Sequence, residues 1–135
     1  MPTAEAQFPA ELGQLAALLA FVEDAGRRLG LAEPALLKLL VVAEELYLNT
    51  VQHGGDQQGP VRLRLQWQDQ ALVLHYEDAA PEYDPFTQAP QALLDAPLSR
   101  RPVGRLGVVL VEGFARATEY ARVGGRNCIR LQLAL

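Results

Sequence analysis

Val61-Arg-Leu-Arg-Leu-Gln-Trp67 sets an apolar residue at every second position, the period of a strand with one buried and one wet face. Ala71-Leu-Val-Leu-His-Tyr-Glu77 follows across Gln68-Asp69-Gln70, so the two runs read as a hairpin. Working outward toward the N-terminus, residues 11–29 carry Leu12, Leu15, Leu19, Val22 and Leu29 near a helical period, ending at Gly30. Glu33-Pro34 opens a second helix, because proline in the first helical position gives up no needed hydrogen bond; this helix runs to about His53 and stops at Gly54-Gly55. Residues 1–10 read as an N-terminal tail.

Toward the C-terminus, residues 78–102 hold Pro81, Pro85, Pro90, Pro97 and Pro102, a long loop with room for one helical turn at 91–95. Loops of this length inside a compact domain are often functional. Residues 107–117, with Val108, Val109, Leu110, Val111 and Phe114, read as a buried helix. Residues 118–123 and 128–135 read as two strands around Gly124-Gly125-Arg126-Asn127, with Ile129, Leu131, Leu133 and Leu135 facing inward. The order helix, helix, strand, strand, helix, strand, strand predicts an α/β (α+β) two-layer sandwich, a mixed or antiparallel sheet with helices on one face.

Composition narrows the function. The 135 residues fit one domain, and with 50% hydrophobic and 21% charged residues they can bury a core. Twelve Lys and Arg against sixteen Asp and Glu give a formal charge of -4, which argues against nucleic acid as a direct partner. Lys38 is the only lysine, Ser99 the only serine and Cys128 the only cysteine. Lysine-nucleophile chemistry, an elbow serine hydrolase and a cysteine zinc site therefore have almost no candidates. The most apolar stretch, 35–43, is interrupted by Lys38 and too short to span a bilayer, and no signal peptide is visible, so a cytoplasmic protein off the membrane is expected.

Three constellations could carry chemistry. On the second helix Glu45, Asn49 and His53 recur every four residues and form a polar ladder, with Leu39, Ala43 and Leu46 on the opposite side. A carboxylate and an amide so aligned suit a general base and an oxygen ligand for Mg²⁺; the alternative is a solvated helix face. Asp78 closes the second strand, where a carboxylate can accept from the exocyclic amine of a base, or simply start a turn. Gly104-Arg105-Leu106-Gly107 precedes the expected buried helix, so backbone N–H groups at its N-terminus could approach a phosphate, or the glycines could serve only the turn.

In this order the three features resemble the GHKL (Bergerat, histidine-kinase-like) ATPase fold. Glu45-x-x-x-Asn49 looks like its N box, Asp78-x-Ala80 like its Asp-x-Gly box and Gly104-x-x-Gly107 like its lid glycines. More narrowly, Tyr83-Asp84-Pro85, Asp95-Ala96-Pro97-Leu98 with Arg101-Pro102, and Gly125-Arg126-Asn127 are similar to stretches of bacterial anti-sigma factor serine/threonine kinases. The resemblance implies that ATP and Mg²⁺ are bound, with Asn49 on the metal, Glu45 activating the attacking hydroxyl and Asp78, beside Ala80, reading the adenine amine. Gly104, Leu106 and Gly107 would cradle phosphates, with Arg105 as an added cation. The implied partners are a sigma factor and an anti-anti-sigma (STAS-type) protein, and homodimers are usual in that family.

Ala80 stands where the pattern has glycine, Arg105 where it has a second lid glycine, and no threonine occurs around Asn127-Cys128. Two readings follow: an ATP-dependent kinase of the anti-sigma type, or a non-catalytic binding module that kept the sandwich while its nucleotide site degenerated.

Overall fold

The computed structural model describes residues 3–53, 59–86 and 113–134. In chain order they form strand β1 (Thr3–Phe8), a 3-10 turn (Leu12–Gln14), helices α1 (Leu15–Arg28) and α2 (Glu33–His53), and strands β2 (Val61–Gln68), β3 (Ala71–Asp78), β4 (Ala115–Val123) and β5 (Arg126–Leu133). The strands make one five-stranded sheet in the order β1-β2-β3-β5-β4, with every neighbouring pair antiparallel. Strand alternation supplies its inner face: Val61, Leu63 and Leu65 of β2, Leu72, Leu74 and Tyr76 of β3, and Ile129, Leu131 and Leu133 of β5. These pack in one cluster against Leu18 and Val22 of α1 and Leu39, Val42, Leu46 and Tyr47 of α2. The two described helices thus cover one face of the sheet, as the sequence reading expects, and the sheet is antiparallel.

The turns follow from backbone chemistry. Asp69 and Gln70 join β2 to β3 with φ of 50° and 69°, the left-handed pair that a two-residue hairpin demands. Gly124 and Gly125 meet the same demand between β4 and β5, with φ of 56° and 76° and no Cβ to clash. Trp67, on the inner phase of β2, packs against the core and donates its indole N–H to the Leu29 carbonyl just past α1, at 2.8 Å. Lys38 donates to the Ala134 carbonyl at 3.2 Å, so the one lysine ties α2 to the end of the sheet.

Two expectations are corrected. Where a tail is expected, Thr3–Phe8 pair with β2 as an edge strand, with Ala6 opposite Leu63. Its inward residues Ala4 and Ala6 are too small to give a strong apolar alternation, and the partner strand, not its own hydrophobicity, makes it a strand. Tyr47, fully buried on α2, secures the exit of β1: its hydroxyl accepts from Glu11 N–H at 2.9 Å and shares its one proton between the carbonyls of Pro9 and Glu11. The expected helix over 107–117 is also revised. Residues 107–112 lie outside the described residues, as do Gly54, Gly55 and the helical turn expected at 91–95. Beyond Gly113, at φ 72°, the chain is extended: Phe114 accepts from Ala134 N–H at 2.9 Å and Ala115 opens β4 opposite Leu133. A run rich in valine carries no period that separates helix from strand. No helix among the described residues is long and apolar enough to cross a membrane.

On the outer face, cross-strand pairing aligns Glu5, Arg64, His75, Arg130 and Glu119 in one row across all five strands. Burial first, then the two flanking arginines, lower the His75 pKa, while Glu77 pulls it the other way. A histidine whose folded pKa lies below its unfolded value contributes stability that is complete above the unfolded value and is lost as pH falls through the folded one. His75→Gln is therefore expected to lose less melting temperature than the wild type between about pH 7 and about pH 5; equal losses would contradict this. Tyr47→Phe orphans the Glu11 N–H and is expected to cost about 1–3 kcal/mol in denaturant unfolding.

Candidate functional site

β3 is inward-facing at Leu72, Leu74 and Tyr76, and the same phase carries Asp78 to the buried side at the end of the strand. Asp78 is only 6% exposed. A carboxylate so placed needs donors to hold its charge, and three separate parts of the chain supply them. Thr50 of α2 donates to Oδ2 at 2.8 Å, Asn127 of β5 donates its amide to Oδ1 at 2.8 Å, and Ala80 N–H reaches Oδ1 at 3.1 Å. Asn127 is the cross-strand partner of Asp78, so the sheet register itself sets that contact.

The network extends inward and outward. Tyr76 Oη lies 2.6 Å from Thr50 Oγ1. Thr50 has one proton, and an ionised carboxylate can only accept, so Tyr76 donates to Thr50 and Thr50 to Asp78. Burial pushes the Tyr76 pKa well above its ordinary value and keeps that proton in place. Outward, Asn127 Oδ1 accepts from Tyr83 N–H at 3.2 Å, from Arg122 at 3.1 Å and from the Tyr120 hydroxyl, while its amide also reaches the Pro81 carbonyl at 3.0 Å. Arg122 donates to the Ala80 carbonyl at 2.7 Å. The backbone of residues 80–83 is thereby clamped to the end of the sheet.

A cavity opens beside this cluster. Leu46, Asn49, Thr50 and His53 of α2 form one wall, and Asp78, Ala80, Tyr83 and Asn127 contribute to the other. Its free volume is about 20 Å³, room for about one water molecule. The Tyr83 ring lies on the His53 ring, centroids 4.4 Å apart and planes 21° from parallel, and closes one side.

Of the residues singled out from sequence, Asn49, Asp78, Ala80 and His53 come together around the cavity. Glu45 lies one turn before Asn49 on α2, half-buried, and is not among the cavity-lining residues. Leu46, expected on the opposite side of the helix, lines the cavity with Asn49, because residues three apart also share a face. Gly104, Arg105, Leu106 and Gly107 lie outside the described residues. Sequence reasoning missed Thr50 and Tyr76, and it named Tyr83 and Asn127 only as parts of family-like stretches, with no role at the site. Tyr76 was accessible, two residues before Asp78 on one strand phase; Asn127 becomes visible only through the β3–β5 register. Ala80 is 2% exposed, and the described non-glycine residues with positive φ are Asp69 and Gln70, so Ala80 holds a backbone conformation open to any L residue. Its methyl narrows the cavity without straining the chain.

The donor set fits a nucleobase amine. A carboxylate offers about four acceptor positions; Oδ1 takes two donors and Oδ2 takes Thr50, which leaves one on Oδ2 for a ligand N–H. For a divalent cation the described residues offer Asn49 at the cavity and no cluster of three His, Cys, Asp or Glu. An Mg²⁺ here would take most of its oxygen ligands from phosphates and water, as that ion commonly does.

Thr50→Val is expected to leave Asp78 Oδ2 and the Tyr76 hydroxyl without their shared partner and to destabilise the fold by about 1–3 kcal/mol. Thr50→Ser should stay near the wild type; denaturant midpoints of the two variants separate the hydrogen bond from the methyl.

Residues 8–133 match the family described as histidine kinase-like ATPase domain. No curated protein matches the chain. Among solved structures, the RsbU and RsbW domains of a Mycobacterium tuberculosis protein align over 100% of this chain with a TM-score of 0.68 at 11% identity. The chain spans 33% of that longer protein. A chain of the SiaB–SiaC complex from Pseudomonas aeruginosa aligns over 98% of this chain and 89% of its own length, with a TM-score of 0.61 at 10% identity. At such identities the likeness is one of fold, whereas the family match takes in nearly every residue: the chain belongs to the histidine kinase-like ATPase domain family.

Proposed function

We propose that the chain binds ATP with Mg²⁺ at the cavity beside Asp78 and acts as an anti-sigma-type serine/threonine protein kinase on an anti-anti-sigma (STAS-type) partner, thereby regulating a sigma factor. The observation that carries the nucleotide part is the buried Asp78 carboxylate, held by three donors and left with one acceptor position beside the cavity. In this reading Asp78 takes the adenine amine and Asn49 the metal. Glu45 accepts the proton of the attacking hydroxyl, while Gly104, Leu106, Gly107 and Arg105 surround the phosphates. Positioning and charge neutralisation then supply the catalysis, as in phosphoryl transfer generally. The kinase and partner parts are supported by the family and by folds shared with part of a chain that holds RsbU and RsbW domains and with a component of the SiaB–SiaC complex.

A second reading keeps the sandwich as a non-catalytic binding module. It is favoured by the cavity volume of about 20 Å³ and by the Ala80 methyl in its wall.

Calorimetric titration with ATP, with and without Mg²⁺, separates the two. The kinase reading expects saturable binding in the wild type, loss of the Mg²⁺ dependence in Asn49→Ala and loss of binding in Asp78→Ala. Glu45→Ala should bind ATP normally while transfer of phosphate to a serine of the partner falls by about a hundredfold or more. Partner binding that persists in all three variants, with no ATP binding by the wild type, would establish the second reading instead.

A further inference from the structure

The cavity beside Asp78 has room for about one water, far too little for the planar base that the nucleotide reading places there. What takes up that space is identifiable. The Tyr83 ring stacks on His53 at 4.4 Å and 21°, in the offset or parallel geometry that planar aromatic groups favour. His53 is fixed at the last turn of α2, and both rings line the cavity.

The backbone under Tyr83 does not offer an easy route out. Tyr83 N–H is held by Asn127, the Ala80 carbonyl by Arg122, and Phe86 N–H closes a turn on Asp84 Oδ1 at 2.9 Å. The side chain is different: its stabilising contact among the described residues is the stack, and no hydrogen bond to its hydroxyl is formed among them. Rotation about the Tyr83 side-chain bonds would clear the ring from His53 while the clamp on residues 80–83 stays made.

We propose that Tyr83 is an internal competitor for the nucleobase: its ring occupies the His53 face in the ligand-free protein, and a planar base enters only by taking that place. This rests on the nucleotide reading above and adds to it a closed state set by one side chain. The apparent Kd is then the intrinsic Kd divided by the fraction of time the ring is out. Removing the ring removes that factor, whereas a residue that served as a wall of the base site would lose affinity on removal.

The test is an ATP titration of wild type, Tyr83→Ala and Tyr83→Phe by calorimetry in Mg²⁺, with thermal melts to show that each is folded. Tyr83→Ala is expected to bind about tenfold more tightly than the wild type, and Tyr83→Phe, which keeps the stack, like the wild type. Equal or weaker binding by Tyr83→Ala would overturn the competitor and leave the nucleotide reading standing. Absence of binding in all three proteins would overturn both. A measurement free of substitutions is the NMR shift of the His53 and Tyr83 ring protons on adding ATP to the wild type: both must move together as the stack parts, and unchanged shifts in an ATP-saturated protein would overturn the proposal.

Discussion

A single carboxylate, buried at the end of the central strand, places the strongest demand on this fold. Asp78 cannot keep its charge at 6% exposure without donors, and each donor comes from a different part of the chain: Thr50 from α2, Asn127 from β5, and Ala80 from the segment just beyond β3. Satisfying it therefore fixes the distance of α2 from the sheet, the register of β3 on β5 and the path of the chain as it leaves the strand. The apolar cluster between helices and sheet supplies the bulk of the stabilisation, but it is tolerant of small shifts; the hydrogen bonds to Asp78 are not.

The same arrangement separates the two faces of the sheet by chemistry. Inward, β3 presents Leu72, Leu74, Tyr76 and then Asp78, so the core grades into the cavity along one strand. Outward, the sheet carries charged pairs: Arg126 and Arg62 both lie on Glu77 at 3.2 and 3.9 Å, and in the row from Glu5 to Glu119 Arg130 lies on Glu119 at 3.8 Å. These exposed pairs contribute little to stability individually.

Much of the fold was legible because its signals are local. The strict alternation of β2, the proline that opens α2 and the Gly-Gly turn each act within a few residues, and each stands where it was read. β1 was not legible, since Ala4 and Ala6 give a faint pattern that becomes a strand only beside β2. Phe114 reads as helical from its apolar neighbours in sequence, whereas the positive φ of Gly113 and the pairing with the end of β5, which place it in extended chain, are not encoded in its spacing. At the site, Asn49 stands out in the sequence by its four-residue spacing from Glu45 and His53, and Asp78 by its place at a strand end, whereas Asn127 acts through a register that brings together residues 49 apart in sequence. Tyr83 meets His53 through a tertiary stack that no spacing encodes.

The proposal makes the Asp78 cluster the reader of a nucleobase and the cavity beside it the closed form of that site. A crystal structure of the protein with Mg²⁺ and a non-hydrolysable ATP analogue tests it most directly. The exocyclic amine of the base is expected within hydrogen-bonding distance of Asp78 Oδ2, with Thr50 and Asn127 still on the carboxylate and the Tyr83 ring lifted from His53. An analogue bound elsewhere on the protein, with the Tyr83–His53 stack intact and Asp78 untouched, would contradict it.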